Sequence, residues 1–111
     1  MGNYPSVKEF FRKLPEKFDA EAAEGLTVVY QFDLSGPQGG QYNLVVEEGI
    51  CTISEGSHPD PHVIFSMSGE DCLGVLSGRL DGQSVFMSGR LRVSGDFGLA
   101  VQLKSLFPSV H

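Results

Sequence analysis

The chain has 111 residues and a formal net charge of −6, with 41% hydrophobic and 20% charged residues. That length suits one domain over 1–111, and the composition excludes a disordered tail. The acidic balance argues against nucleic acid as a partner, because cationic groups must displace counterions from phosphates, and against stable polybasic docking on a membrane.

Val7, Phe10, Phe11, Leu14 and Phe18 recur at helical spacing, with Lys8, Glu9, Arg12, Lys13 and Glu16 between them. This predicts an amphipathic helix capped by Ser6 and ended or kinked at Pro15. "DAEAAEG" reads as a second short turn of helix stopped by Gly25. The period then changes to two. In "LTVVYQFDL", Leu26, Val28, Tyr30, Phe32 and Leu34 alternate with less apolar neighbours, so a strand with one buried face is expected. "QYNLVVE", "ICTIS" and "HVIFSMS" follow as three further strands, the last with Val63, Phe65 and Met67 on one side. Short connections between consecutive strands predict an antiparallel meander.

Helical signals return in "GEDCLGVLSGRL", with acids in the first turn, and in "DGQSVFMSG", with Asp81 as N-cap. "RLRVS" is a fifth strand, placing Leu91 and Val93 inward and Arg90 and Arg92 outward. Asp96 caps a terminal helix that Pro108 stops. The order gives an α+β fold: one antiparallel-dominated sheet with helices on one face.

The terminal helix is apolar on two sides. Leu99, Leu103 and Leu106 form one stripe, with Ala100 and Phe107 at its shoulder, while Phe97 and Val101 lie on roughly the opposite side. A helix on a sheet needs only the first stripe. The second calls for a neighbouring helix, a partner or a ligand. Phe65, Met67, Leu76, Leu80, Phe86 and Met87 add large, adaptable apolar groups from segments expected over the same sheet face.

"GRLDGQSVFMSGRLRVSGDFGLAVQLKSLF" resembles the C-terminal half of the sterol carrier protein 2 family of lipid-binding domains. The shared pattern is a helix ending in Gly, a loop, an aromatic or Met pair, a G-K/R-L-x-V-x-G-D/N junction and an apolar last helix. The resemblance extends back through "YQFDLSGPQGGQYNLVVEEG" and "PDPHVIFSMSGEDCLGVLSG" and covers the chain from Val7 to Phe107. It implies a five-stranded sheet covered by helices and enclosing an apolar tunnel for fatty acids, acyl-CoA, sterols or other lipids. The ending "PSVH" departs from the S-K-L type of peroxisomal signal, and no dehydrogenase or thiolase segment is attached, so a stand-alone form is expected.

Other chemistry finds less support. His58, Asp60 and His62 in "HPDPH" lack further strong ligands nearby, so no metal is expected. No GxSxG, HExxH or P-loop pattern is present, and no enzyme activity or cofactor is expected. Cys51 and Cys72 lack CxxC spacing and read as free thiols. The N-terminus carries charges where a signal peptide would be apolar, which points to a cytoplasmic protein.

The expected function is therefore non-enzymatic binding, and transfer, of a hydrophobic ligand. Its expected site is Phe32, Phe65, Met67, Leu73, Leu76, Leu80, Phe86, Met87, Leu99 and Leu103, with Phe97 or Val101 gating one end. Arg79, Arg90 and Arg92 are the candidates for holding an anionic headgroup. Membrane contact would be transient at most. The alternative is an accessory module that forms a homodimer, or docks on a lipid- or quinone-metabolising enzyme, through the terminal helix.

Overall fold

A computed structural model describes residues 6–37, 39–77 and 79–107. The first helix, α1 (Val7–Lys13), starts where the Ser6 hydroxyl accepts the Glu9 N–H at 3.1 Å. It tightens at Pro15 into a 3-10 turn over Leu14–Lys17, as the missing proline N–H requires. Val7, Phe10, Phe11 and Leu14 are buried. The expected second helix is absent. Residues 20–25 instead form successive turns, with Ala23 N–H to Ala20 and Glu24 N–H to Glu21 bonds. The Asp19 carboxylate accepts from Glu21 and Ala22, an alternative to helix that short acidic side chains offer.

Five strands follow the two-residue pattern: β1 (Val28–Ser35), β2 (Gly40–Glu47), β3 (Ile50–Glu55), β4 (Val63–Ser68) and β5 (Arg92–Gly95). β2 and β3 join through Glu48 and Gly49, both with positive φ, as a two-residue type I′ turn demands. Between β4 and β5 lie α2 (Gly69–Leu76) and α3 (Gly82–Met87), and α4 (Phe97–Leu106) closes the described chain. α4 is capped by Asp96, whose carboxylate accepts the Leu99 N–H at 3.1 Å. The expected stop at Pro108 and the glycine at 78 lie outside the described residues.

The meander expectation needs one correction. The sheet order is β3-β2-β1-β4-β5, and β4 pairs parallel with β1, not antiparallel with β3. Residues 56–62 therefore carry the chain back over β2 and β1 before β4 begins. They cross the outer face of the sheet, where Gln31 and Asn43 are buried beneath them. The Gln31 Oε1 accepts the His58 N–H at 2.8 Å, and Asn43 Nδ2 donates to the Gly56 carbonyl at 3.1 Å. His62 completes the strap, its Nδ1 accepting the Val29 N–H at 3.0 Å. Two polar side chains on a face expected to be solvated are thus satisfied internally, as burial requires.

The inner face carries Val28, Tyr30, Phe32 and Leu34 from β1, and Tyr42, Leu44 and Val46 from β2. β4 adds Val63, Phe65 and Met67 to it. With the helices packed on this face, the architecture is the expected α+β fold with a five-stranded, mostly antiparallel sheet.

Candidate functional site

The helical layer covers the inner face unevenly. Beneath α1, aromatic rings fill the space. Phe11 stacks on Tyr42 at 4.6 Å and meets Phe32 at 5.2 Å, and Phe32 stacks on Phe65 at 5.2 Å. Phe32 is thus enclosed by the protein's own side chains. Phe65, Met67, Leu73 and Leu103 are buried in the same apolar cluster, while Leu76, Leu80 and Leu99 pack against it only partly buried. The remaining four, Phe86, Met87, Phe97 and Val101, are solvent-exposed. The structure therefore grades the predicted residues from core, through half-buried leucines, to an open surface on α3 and α4.

Local sequence explains this gradient. α2 begins where the Ser68 hydroxyl accepts the Asp71 N–H at 3.0 Å, and it carries Cys72 and Leu73 inward. Gly74 leaves the room into which Leu80 folds back, since a Cβ there would lie 2.5 Å from Leu80 Cδ1. α3 is so short that only Val85 is buried, leaving Phe86 and Met87 outside. α4 buries its Leu103 and Leu106 stripe and leaves Phe97 and Val101 outside, as the two-sided projection predicts.

One residue organises this layer in a way its apolar neighbours do not. Tyr30, fully buried, sends its hydroxyl from the sheet to the Leu99 carbonyl of α4 at 2.6 Å. Burial, aided by the Asp96 carboxylate, pushes its phenol up to about 12. Sequence patterning put Tyr30 on the inner face but treated it as one more apolar group; a tyrosine among phenylalanines is the signal that a polar contact was needed. The other end of α4 is held by the Asp19 N–H donating to the Leu106 carbonyl at 2.8 Å and by the Phe18–Phe107 ring contact.

The three arginines do not share one surface. Arg90 lies before β5 and forms a two-bond fork to the Asp71 carboxylate of α2 at 3.0 and 3.2 Å, holding that carboxyl below its usual range. Arg79 Nε reaches Ser77 Oγ at 3.5 Å, just beyond the end of α2. Arg92 pairs with Ser66 in register, which puts it on the outer sheet face beside neither of them. The His58 imidazole accepts the Asp60 N–H and that of His62 accepts the Val29 N–H, so both rings serve the strap. Both cysteines are free: burial pushes the Cys51 thiol up to about 11 and raises that of Cys72 further. Neither is an activated nucleophile.

A crevice of about 360 Å³ lies elsewhere, between the start of α1 and the β1–β2 turn. Ser6, Lys8, Gln41, Tyr42 and Glu55 line it, and none of the predicted site residues does. Lys8 and Glu55 pair across its edge at 3.3 Å.

Comparisons with known proteins agree with this architecture. The profile of the SCP-2 sterol transfer family matches residues 7–108. Hydroxysteroid dehydrogenase-like protein 2 of Rattus norvegicus is 33% identical over 110 residues, covering 98% of this chain and 21% of the relative. This chain thus spans about a fifth of that curated relative. The solution structure of sterol carrier protein domain 2 of Helicoverpa armigera superimposes with a TM-score of 0.73 at 26% identity, covering 99% of this chain and 94% of that one. The sec-alkylsulfatase Pisa1 from Pseudomonas shows the same fold at 20% identity. Its TM-score is 0.80, over 99% of this chain and 17% of that one. A profile match across nearly the whole sequence and the superposition on a sterol carrier protein domain converge: the chain belongs to the SCP-2 sterol transfer family.

Proposed function

We propose that this domain binds a hydrophobic ligand (a fatty acid, fatty acyl-CoA, sterol or other lipid) in an apolar cavity between sheet and helices, and transfers it without chemistry. The observation that carries this reading is the graded apolar surface. Phe65, Met67, Leu73 and Leu103 are its buried part, Leu76, Leu80 and Leu99 are half-buried, and Phe86, Met87, Phe97 and Val101 are exposed. Phe32 touches this group only through Phe65 and is otherwise enclosed beneath α1 by Phe11. Family membership supports the same class of ligand. Desolvating an alkyl chain gains about 0.8 kcal/mol per methylene, so a sixteen-carbon chain gains roughly 10 kcal/mol before ordering costs. That suffices for micromolar binding. The reading needs no metal or cofactor, and it suits a cytoplasmic protein.

Arg79 is the best placed of the three arginines for an anionic headgroup, because Arg90 already holds Asp71 and Arg92 faces away. Native mass spectrometry of protein purified from cells should show co-purifying lipid. Titration with a fluorescent fatty acid should show saturable one-to-one binding. No binding of fatty acid, acyl-CoA or sterol at micromolar concentration removes the proposal. Unchanged affinity for a charged acyl ligand in Arg79→Ala, Arg90→Ala and Arg92→Ala removes the headgroup role alone.

A second reading, an accessory module docking on a lipid-metabolising enzyme, is favoured by one observation. The matching region makes up only 21% of the rat relative by sequence and 17% of the sulfatase by structure. Under it the purified domain carries no lipid and binds the enzyme through α4.

A further inference from the structure

The "HPDPH" run of the strap has chemistry that ligand binding does not use. Pro59 and Pro61 have no N–H to donate, so only residues 58, 60 and 62 of this stretch can do so. All three do. His58 N–H donates to Gln31 Oε1 at 2.8 Å, Asp60 N–H to His58 Nδ1 at 3.0 Å, and His62 N–H to the Val29 carbonyl at 2.9 Å. A fourth bond runs the other way, from the Val29 N–H to His62 Nδ1 at 3.0 Å. The parallel ladder begins at Tyr30 and Val63, so Val29 lies one residue short of it. The imidazole supplies the acceptor that a longer β4 would have given. Val29 is buried, and its N–H needs that acceptor.

Two of these four bonds require a neutral ring. Nδ1 accepts through its lone pair, and proton uptake puts an N–H there instead. Imidazole is the side chain that makes this change between about pH 8 and 5. His62 is exposed and His58 half-buried, so protons reach both rings. Asp60 is exposed, two positions from each histidine, and its carboxylate holds no hydrogen bond among the described residues. The other charges nearby are committed or distant. On β1 the Asp33 carboxylate is taken by the Gln31 and Gln41 amides, and β2 sets only Val45 opposite Val29. The Asp96 carboxylate caps α4, and Arg92 of β5 pairs in register with Ser66, four positions along the chain from His62. Asp60 is thus the carboxylate left to receive a charged ring.

What His62 holds reaches α4. Its carbonyl accepts the Asp96 N–H at 3.1 Å, and Gly95 lies so close to the same carbonyl that a Cβ would collide with it. Asp96 caps α4, and Tyr30, the residue after Val29, holds Leu99 in the first turn of that helix. We propose that residues 56–62 form an acid-released clasp: proton uptake by His62, joined by His58, detaches the imidazole from the Val29 N–H, turns it to Asp60, and loosens the start of α4. Because α4 supplies Leu99 and Leu103 to the proposed site, acid then speeds ligand release. That consequence rests on the carrier reading; the clasp itself does not.

Amide hydrogen exchange followed by NMR on the ligand-free chain tests the clasp. In wild-type protein the protection of the Val29 and Asp96 amides, corrected for intrinsic exchange, should fall at least about ten-fold between about pH 7.5 and 5. His62→Asn keeps an acceptor, because the Asn carbonyl oxygen replaces Nδ1, but takes up no proton. Its protection should stay constant over the same range. His62→Ala should be as unprotected at the higher pH as wild type is at the lower. Constant protection in wild-type protein overturns the proposal. So does an equal fall in His62→Asn, which assigns the effect to another group. Release of a fluorescent fatty alcohol, whose headgroup does not titrate, then tests the coupling to the site. Release that quickens several-fold in acid for wild type but not for His62→Asn supports it. Lost protection with unchanged release overturns the step from clasp to site. Failure to bind the alcohol at either pH counts against the carrier reading and the release step, while the exchange result still decides the clasp.

Discussion

Replacing Tyr30 with Phe deletes a single hydroxyl from the seam between sheet and terminal helix, opens no space in the core, and leaves the Leu99 carbonyl in the hydrogen-bond ladder of α4. A buried hydrogen bond of this kind contributes about 1.5 kcal/mol net, so at neutral pH Tyr30→Phe should lower Tm by about 7 °C. The pH dependence is more telling. The phenol titrates near 12 in the folded protein against 10.0 ordinarily, with burial as the main cause and the Asp96 carboxylate as the second. Below pH 10 both states hold the proton and the wild-type advantage is constant. From 10 to 12 the unfolded chain ionises while the folded one does not, so wild-type protein loses about 1.4 kcal/mol per pH unit relative to the variant. The advantage thus vanishes near pH 11, above which the variant is the more stable protein. The buried thiols and Tyr42 also weaken wild-type protein at high pH, but they are present in both proteins and cancel in the difference. Urea unfolding followed by circular dichroism at intervals from pH 8 to 12 measures the difference directly. A flat difference curve, or no deficit in the variant at pH 8, refutes the account of the seam.

Three further outcomes follow from the same geometry. Gly95 has φ +99, and a Cβ there would run into the His62 carbonyl oxygen, so Gly95→Ala should cost more than about 3 kcal/mol by thermal unfolding. Asp96→Ala removes the cap of α4 and should cost about 1 kcal/mol, measured the same way. Leu99→Trp adds bulk at a half-buried wall of the proposed site. It should weaken fatty-acid binding about ten-fold by fluorescence titration, with Tm changed by only a few degrees.

The inward faces of the strands were legible because alternation needs only the pleat. Val28, Tyr30, Phe32 and Leu34 could not reverse without burying Asp33. Caps were legible for the same local reason, and Ser6 and Asp96 both accept as their positions predict. Strand order was not legible. "EGSHPDP" reads as a turn to the next strand, and nothing local says that it passes over two strands and shelters Gln31 and Asn43. Their burial follows from tertiary placement alone. The turns at 20–25 were misread because alanine and glutamate favour helix, whereas Asp19 satisfies the backbone first. In the candidate site, the two apolar sides of α4 were visible from spacing. The commitment of Arg90 to Asp71, nineteen positions away, was not.

The strap of residues 56–62 also governs the order of assembly. β1, β2 and β3 are neighbours in sequence and can zip as hairpins, but β4 finds β1 only after the intervening segment has been laid across the sheet. Val29 and His62, whose bond anchors that crossing, are separated by 33 positions. The loop entropy of that closure comes due before α2, α3 and α4 have a completed sheet to rest on. The three helices that build the proposed site therefore depend on that closure for the surface on which they pack. A nascent chain halted short of β4 would expose the greasy side of an unfinished hairpin pair.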